Sequence, residues 1–369
     1  MTNFKTSHKR TPSYHYLPQN TEKNIKIFKS LQYSDIKIFY ALKANNYEPM
    51  IRKFIEADYG FDIASRQELE YLVSLGADPT KTSFSAPTKL VEDLRYASSV
   101  GVRYYAFDTE SEARKILANT KNPLLIARTV AKNKDAEFNL SDKFGMTDTY
   151  LRYIFTVAKK EKWPLHGITF HVGSQNKSIN SWRTALQNIE ADINDAQQLG
   201  IDIKCINLGG GIPVKYENGV KSVEFYIENI INFVRSIRRR TDIEEFIIEP
   251  GRSLSANTMV LLTKVINIKT YKSPQIVVTD LSVFNGLIEP LEHFEYPVYK
   301  YGKFSCKNVE KKRFYKIVGL SCDGYDIINR RCLLPADLKI GDYLIIPNAG
   351  AYSFVYENFH MRKYPEIIG

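Results

Sequence analysis

The stretch IFYALKANN, residues 38–46, ends a run of apolar and aromatic residues on a single lysine, Lys43. Such a run is typical of a buried β-strand, and two asparagines follow the lysine almost at once. A buried ammonium group is costly unless it is solvated, paired or chemically used. The stretch therefore predicts a strand whose carboxyl end carries a lysine that is solvated, paired or chemically used.

Similar short apolar runs alternate with segments of helical period from about residue 37 to residue 250. Between the runs, segments such as SRQELEYLVSLG place apolar residues three and four positions apart. Eight strand–helix units are the number in a closed (β/α)8 barrel of the TIM type, and an open doubly wound sheet is the alternative. The eight predicted strands are residues 38–42, 60–63, 82–85, 103–107, 124–128, 167–172, 204–208 and 246–250.

The pattern changes after Arg252 to strand-like runs separated by turn residues. These runs are MVLLTKVINIK (259–269), QIVVTD (275–280), FYKIVGLSC (314–322) and DYLIIPN (342–348). The N-terminal TPSYHYLP (11–18) is strand-like as well. We therefore expect two domains. One is a barrel over residues 20–252, and the other is a β-rich domain, like a β-barrel or sandwich, over residues 253–369 together with residues 1–19.

Composition limits the classes of function. The chain has 369 residues, and its 51 basic and 41 acidic residues give a net charge of +10. The basic runs at 235–240 and 307–313 fall in no recognised nucleic-acid module, so we expect anionic small molecules rather than nucleic acid. Four cysteines lack metal-site or disulfide spacing, so no metal is expected. No secretory signal or apolar run of spanning length is visible, which predicts a cytoplasmic protein without membrane contact.

Polar residues lie at the ends of five of the eight predicted strands, and a glycine triplet follows a sixth, at the end where barrels of this type carry their functional groups. Each alone has a simpler explanation as a solvated strand end, a tight turn or a capped loop. Their coincidence predicts one site. These residues are Lys43, Asp62, Arg128, His171 with Ser174, the triplet Gly209, Gly210 and Gly211, and Glu249 with Gly251 and Arg252.

The chemistry of this set indicates a cofactor. The glycine triplet lets backbone N–H groups approach an anion, and barrels often hold phosphate in the loops after strands seven and eight. Pyridoxal phosphate requires such a phosphate pocket, a lysine amine for a Schiff base, a flat group against its ring and an acid beside its pyridine nitrogen. The sequence supplies all four, so pyridoxal 5'-phosphate is the predicted cofactor and Lys43 its lysine.

Seven motifs resemble those of the fold-type III pyridoxal-phosphate-dependent decarboxylases, the group of ornithine, arginine and diaminopimelate decarboxylases. They occur in the family's order and cover nearly the whole chain. The resemblance implies a carboxy-lyase that acts through a Schiff base on Lys43 and a quinonoid intermediate. The motifs are YALKAN (40–45), GFDIASRQEL (60–69), FHVGSQ (170–175), NLGGGIP (207–213), IIEPGRS (247–253), CDGYDII (322–328) and NAGAY (348–352).

The resemblance also implies roles for the barrel residues. His171 would stack on the cofactor ring, and Glu249 would pair with the pyridinium nitrogen. Asp62 and Arg128 match family positions around the cofactor. The phosphate would be held by Ser174, Gly211, Arg252 and Tyr352, with Gly209, Gly210 and Gly251 beside them.

Two residues of the C-terminal motif CDGYDII would act on the substrate. The resemblance implies that Cys322 reprotonates the substrate carbon and that Asp323 faces the substrate. In the family this segment completes the active site of the other subunit. A head-to-tail homodimer with shared active sites is therefore implied.

The substrate is less well defined by the resemblance. CDGYD is similar to the ornithine decarboxylase pattern, in which the aspartate takes the distal ammonium. Glu289 and Pro290 stand where those enzymes carry a second acidic residue, whereas HVGSQ is closer to the diaminopimelate branch. Asn207 replaces the aspartate of many relatives. We expect a basic, ornithine-like amino acid or an N-acylated derivative, such as a citryl-amino acid of siderophore biosynthesis.

Three alternatives remain open: a diaminopimelate or lysine decarboxylase, an amino-acid racemase, and a non-catalytic homologue that binds the cofactor. Racemases of this fold usually place arginine against the pyridine nitrogen, which the EPGR segment argues against. A non-catalytic homologue would be expected to have lost one of Lys43, Glu249, Arg252 or Cys322. All four are present.

Overall fold

The computed structural model describes residues 10–131, 136–138, 143–302 and 311–361, without the side chains of 136–138 and 357–360. The chain divides into two compact units. The barrel unit comprises Glu22–Val214, Val220–Leu254 and the described residues 358–361; the β unit comprises Lys215–Gly219 and Ser255–Glu357 together with the chain up to Thr21. The predicted boundaries at residues 20 and 252 lie two residues from these divisions. Two short segments differ from the prediction: Lys215–Gly219 belongs to the β unit rather than the barrel, and residues 358–361 belong to the barrel unit rather than the β domain.

Seventeen strands and nine α-helices are present in the described part of the chain. The strands are β1 Ser13–Tyr16, β2 Ile36–Ala41, β3 Gly60–Ile63, β4 Thr82–Phe84, β5 Tyr104–Phe107, β6 Leu124–Arg128, β7 Ala136–Phe138, β8 Leu165–Thr169, β9 Ser174–Asn176, β10 Cys205–Asn207, β11 Glu245–Ile248, β12 Met259–Lys269, β13 Gln275–Thr279, β14 Tyr299–Lys300, β15 Lys312–Val318, β16 Ile327–Pro335 and β17 Tyr343–Ile346. The α-helices are α1 Pro18–Gln32, α2 Glu48–Glu56, α3 Arg66–Ser74, α4 Val91–Val100, α5 Glu110–Asn119, α6 Asp148–Glu161, α7 Asn180–Gln198, α8 Val223–Arg238 and α9 Arg252–Ser255.

The barrel unit confirms the predicted (β/α)8 architecture and excludes the open doubly wound sheet. Eight strands close on themselves in the order β2, β3, β4, β5, β6, β8, β10, β11, and every neighbouring pair is parallel. Each of the eight predicted strands is one of these. A cluster of buried side chains joins five of these strands, β2, β5, β6, β10 and β11. That cluster is Phe39, Tyr104, Ala106, Ile126, Cys205 and Ile247.

Local sequence signals set where the helices begin and end. Ser65 caps α3 by accepting the N–H of Glu68, and the Glu68 carboxylate accepts the N–H of Ala64 in return, which is the logic of a capping box. Thr109, Thr147 and Ser222 cap α5, α6 and α8 in the same way. These caps fix the turn that leads from each loop into its helix. No helix in the described residues is long and apolar enough to cross a membrane.

The β unit contains the predicted β-rich domain as a seven-stranded mixed sheet. Its order is β14-β17-β12-β13-β15-β16, and β1 pairs with β12. The N-terminal run therefore joins this sheet, antiparallel to Met259–Leu262. The run predicted as strand 314–322 ends at Val318, because Gly319 lies against the Asp326 carboxylate. That carboxylate accepts the N–H groups of Val283 and Ser321, so the chain turns away from the sheet.

A polar network occupies the amino end of the barrel, where Glu245 begins β11. Its carboxylate accepts hydrogen bonds from Lys37, from the Tyr104 hydroxyl at 2.7 Å and from His166 Nε2 at 3.1 Å. Burial raises the pKa of Glu245, but these three donors outweigh it and bring the pKa to about 2. The ligand atoms of His166, Cys205 and Glu245 lie within 4.8 Å of one another. Because Lys37 already neutralises the Glu245 carboxylate, we interpret these residues as a structural hydrogen-bond network rather than a metal site.

Candidate active site

Lys43 lies just beyond β2, in a short 3-10 helix, Leu42–Ala44. Its Nζ atom donates to Asp62 Oδ2 at 2.7 Å, and its side chain is about one-third exposed while that of Asp62 is fully buried. Asp62 Oδ1 has no hydrogen-bond partner in the described structure. The lysine at the end of the first barrel strand is thus both paired and accessible, which answers why a buried strand leads to an ammonium group.

Glu249 follows β11 and is buried beside this pair. Its Oε1 atom accepts hydrogen bonds from Ser85 Oγ and Asn207 Nδ2, both at 2.6 Å. Burial and the nearby Asp62 charge raise the pKa of Glu249 to about 7, against the opposing effects of Ser85, Lys43 and Asn207. A carboxyl poised near neutrality is suited to hold or share a proton with a neighbouring nitrogen.

His171 supplies a neutral, flat ring at the same end of the barrel. Burial, together with the positive charges of Arg128 and Lys43, lowers its pKa to about 3. Its Nδ1 atom accepts the N–H of Gly173 at 2.9 Å, so the ring proton resides on Nε2. An imidazole that stays uncharged can stack against an aromatic ring without adding a positive charge to it.

The glycine triplet packs so closely that side chains are excluded. A Cβ at Gly209 would lie 2.2 Å from the carbonyl oxygen of Phe170, and one at Gly211 would lie 2.6 Å from that of Gly173. Both glycines also have positive φ angles, +61° and +108°. The backbone of this loop therefore carries no side chains, as a phosphate cradle requires.

Two arginines bring positive charge to this end of the barrel. Arg252 begins α9 and contacts Ser174 Oγ at 3.3 Å through Nε and Nη2. Arg128 ends β6, and its guanidinium lies 4.9 Å from the centre of the Phe144 ring. Burial lowers the pKa of Arg128, whereas the carboxylates of Glu249, Asp108 and Asp62 raise it. An anion that binds here would therefore pair with an Arg128 guanidinium that burial has already partly desolvated.

The remaining predicted residues lie in the β unit. Cys322 and Asp323 are exposed in the loop after β15, where Asp323 Oδ1 accepts the N–H of Tyr325 at 2.7 Å. Glu289 is buried, and its Oε2 accepts the Tyr296 hydroxyl at 2.5 Å. Tyr352 is half-buried, with a positive φ of 51°.

Sequence reasoning missed Ser85, although it ends the predicted strand 82–85 at the functional end of the barrel, as the other site residues do. It also gave Asn207 only a minor role. In the structure both contact Glu249. A polar residue at the carboxyl end of a barrel strand was the available signal for Ser85.

The chemistry and burial of the residues in the barrel unit fit pyridoxal phosphate. These residues offer a partly accessible amine, two arginines, a neutral ring, a buried carboxyl and a glycine loop without side chains. Two buried oxygens, Asp62 Oδ1 and Ser253 Oγ, lack hydrogen-bond partners among the described residues. Unsatisfied buried polar atoms are uncommon in folded proteins and point to a site that a bound group completes.

Comparison with known proteins identifies the class. A family model described as the pyridoxal-binding domain of pyridoxal-dependent decarboxylases matches residues 19–256, and the chain belongs to this family. The lysine/ornithine decarboxylase of Selenomonas ruminantium is 29% identical over 86% of this chain and 79% of its own. The protein is accordingly a pyridoxal-phosphate-dependent decarboxylase, which is a carboxy-lyase.

Solved structures agree with the family assignment. The arginine decarboxylase of Paramecium bursaria Chlorella virus matches with a TM-score of 0.84 at 26% identity, over 94% of this chain and 92% of that one. A variant of the enzyme SrLDC, solved in complex with PLP, matches with a TM-score of 0.85 at 27% identity, over 96% and 92% of the two chains. Both the barrel and the sheet of the β unit are thus common to the group.

Proposed function

We propose that the substrate is an ornithine-like amino acid and that Lys43, Glu249, His171, Cys322 and Asp323 act on it in the roles the family resemblance implies. The observation that carries the proposal is the placement of Lys43. Its side chain is about one-third exposed, its Nζ atom is held 2.7 Å from Asp62, and it belongs to the same charged group as Glu249 and Arg128. When bound, pyridoxal phosphate supplies an electron sink for the breaking Cα–carboxylate bond.

The chain's own groups then have separate tasks. Lys43 would hold the cofactor covalently, and Glu249 would keep a proton at its ring nitrogen. The neutral ring of His171 would cover one face of the cofactor, while Arg252, Ser174 and the glycine triplet would hold the phosphate. Cys322 would return a proton to the substrate carbon after carbon dioxide leaves, because a thiol is a suitable acid near neutral pH.

The loop with Cys322 and Asp323 supports a homodimer with shared sites. Three large apolar side chains near it are exposed: Phe284, Leu320 and Tyr325. Exposed apolar groups beside a functional loop are typical of an interaction surface. We propose that this loop enters the site of a second copy of the chain, as the family resemblance implies.

Complementation tests the shared site. Lys43→Ala and Cys322→Ala proteins, each inactive alone, are mixed and allowed to exchange subunits. If each site combines residues from two chains, half of the dimers carry one intact site, and activity returns to about a quarter of the wild-type value. Mixtures that stay inactive although subunits exchange would contradict sharing.

A second substrate, an amino acid acylated on its distal nitrogen, is favoured by Glu289. The sequence places this residue where a second acid would hold a distal ammonium, but its carboxylate accepts the Tyr296 hydroxyl inside the β unit. An acylated nitrogen carries no charge to be paired there. The net charge of +10 would also suit a polyanionic acyl group such as citryl.

A substrate panel decides between the two. Carbon dioxide release is measured on free ornithine, lysine, diaminopimelate and N-citryl-ornithine, with Lys43→Ala as the inactive control. The proposal expects the largest kcat/KM on free ornithine, and the second candidate expects it on the citryl compound. High turnover of diaminopimelate alone would overturn both. A cytoplasmic location stays a prediction from the sequence.

A further inference from the structure

One oxygen of the Glu249 carboxylate is held twice. Ser85, beyond β4, and Asn207, at the end of β10, both donate to Oε1 at 2.6 Å. We propose that Ser85 and Asn207 are positioning residues that keep Glu249 ionised and fix its orientation, so that its other oxygen serves the cofactor's ring nitrogen. The inference deepens the proposed function and rests on the role given there to Glu249.

The polarity of both donors is set by further contacts. Ser83 Oγ lies 2.7 Å from Ser85 Oγ, so the Ser83 hydroxyl can donate to Ser85 while Ser85 donates to the carboxylate. The Oδ1 atom of Asn207 accepts the N–H of Gly209 at 2.9 Å, which turns the amide nitrogen toward Glu249. Hydrogen bonds donated to a carboxylate favour its ionised form. Both therefore counteract the burial that favours the protonated form.

Asn207 also connects the two ends of the site. Its side-chain oxygen Oδ1 accepts the N–H of Gly209, the first glycine of the phosphate cradle. Its side-chain nitrogen Nδ2 donates to Glu249, the carboxylate proposed to act at the ring nitrogen. One side chain thus sets the spacing between the groups for the two ends of the cofactor. A displacement of Asn207 would be felt at both.

Other charged or titratable groups also face Glu249. Asp62 on β3 raises its pKa and Lys43 lowers it. Arg128 at the end of β6 and Cys205 on β10 interact with its charge, and His171 is near enough that a Cβ on Gly210 would contact both His171 and Glu249. These groups are unchanged when Ser85 or Asn207 is replaced. Differences between variants therefore report on the two donors.

The test uses the full chain with bound pyridoxal phosphate and compares Ser85→Ala, Ser85→Thr, Asn207→Ala and Asn207→Asp. Two quantities are followed across pH: kcat and KM for decarboxylation, and the cofactor dissociation constant from equilibrium dialysis. Loss of one donor to a buried carboxylate should lower kcat about tenfold, with little change in substrate KM. The pH midpoint of cofactor binding should move upward by about one unit. Ser85→Thr, which keeps the hydroxyl, should restore both.

Asn207→Asp separates an electrostatic role from a purely structural one. The introduced carboxyl group keeps an oxygen for the Gly209 N–H. When protonated it also donates to Glu249, so the variant should match the wild type at acidic pH. As pH rises and that proton is lost, the donor disappears and a second negative charge faces Glu249. Both kcat and cofactor affinity should then fall.

If Asn207 only anchors the glycine loop, Asn207→Asp will match the wild type at every pH and Ser85→Ala will be silent, which overturns the inference. Glu249→Gln shows which idea has failed. If Glu249→Gln loses activity while Ser85→Ala and Asn207→Asp remain normal, the positioning role alone is wrong. If Glu249→Gln keeps the wild-type kcat, the proposed role of Glu249 is wrong as well.

Discussion

Gly210→Ala provides a direct test of the cofactor cradle. At this position a side chain is prevented by close contacts with neighbouring atoms and not by the backbone conformation. Its φ is not positive, yet a Cβ would lie 2.6 Å from the carbonyl oxygen of Glu249 and 3.2 Å from His171 Nε2. The Glu249 carbonyl belongs to the backbone, and the Glu249 N–H is bonded to the Gly209 oxygen at 2.8 Å. The Glu249 backbone therefore cannot move away from a new Cβ without displacing the glycine loop.

The cost follows from the overlap. Relief of a contact this short requires a backbone shift, and overpacking of this kind costs about 1–3 kcal/mol. If the shift separates the glycine loop from Glu249 and His171, the same free energy is lost in cofactor binding. The dissociation constant for pyridoxal phosphate should then rise about 5-fold to 150-fold.

Gly167→Ala is the matched control. A Cβ there would lie 2.6 Å from the carbonyl oxygen of Cys205, the same closest approach, and it would also lie 2.8 Å from Cys205 Cβ, in the middle of β8. Gly167→Ala should therefore lose at least as much free energy of unfolding in urea as Gly210→Ala. Only Gly210→Ala should lose cofactor affinity in equilibrium dialysis. Unchanged affinity in Gly210→Ala, or equal losses in the two variants, would show that this loop does not hold the cofactor.

Two further predictions concern buried charges outside the site. The pKa of Glu245 is about 2 in the folded chain and near 4.5 ordinarily, so the carboxylate stabilises the fold fully above pH 4.5, and this stabilisation is lost as pH falls toward 2. Glu245→Gln should therefore lower the free energy of unfolding in urea by about 2 kcal/mol at pH 7, allowing for partial solvent access, and leave it unchanged near pH 2. The control Glu244→Gln, at an exposed residue, should have little effect at either pH. Burial lowers the pKa of Lys89 to about 7, so the unfolded chain binds more protons than the native one between about pH 7 and 10. Wild type should gain stability relative to Lys89→Met as pH rises through that range, and a constant difference would contradict it.

The barrel could be predicted from the sequence because each of its strands is a short, almost continuous apolar run. Parallel strands buried on both faces produce this pattern, and β3 and β5 are buried throughout. The strand β16 was missed because it has no simple period. Two exposed arginines, Arg330 and Arg331, interrupt its buried residues. The pair of β7 and β9 was missed because three residues give no pattern.

The candidate site was predictable in its charged and glycine residues, which stand out against apolar strands. Its supporting contacts were not. Nothing in the local sequence indicates that Ser85 meets Glu249, 164 residues away, since that contact exists only once the barrel closes. Lys89 is similar: its side chain is fully buried, with Glu112 at 3.7 Å, although it follows Pro87 and Thr88 in an ordinary loop. Closure of the barrel, rather than local propensity, creates both environments.

The two glutamates at the ends of β11 show how one residue type acquires opposite properties in the same barrel. Glu245 receives three donors, one of them the Lys37 ammonium, and its pKa falls to about 2. Glu249 receives two neutral donors and faces Asp62, so its pKa rises to about 7. Full compensation at the amino end gives a carboxylate that stabilises the fold. Incomplete compensation at the carboxyl end leaves one whose proton is still exchangeable, and such a group is useful only where a ligand completes it.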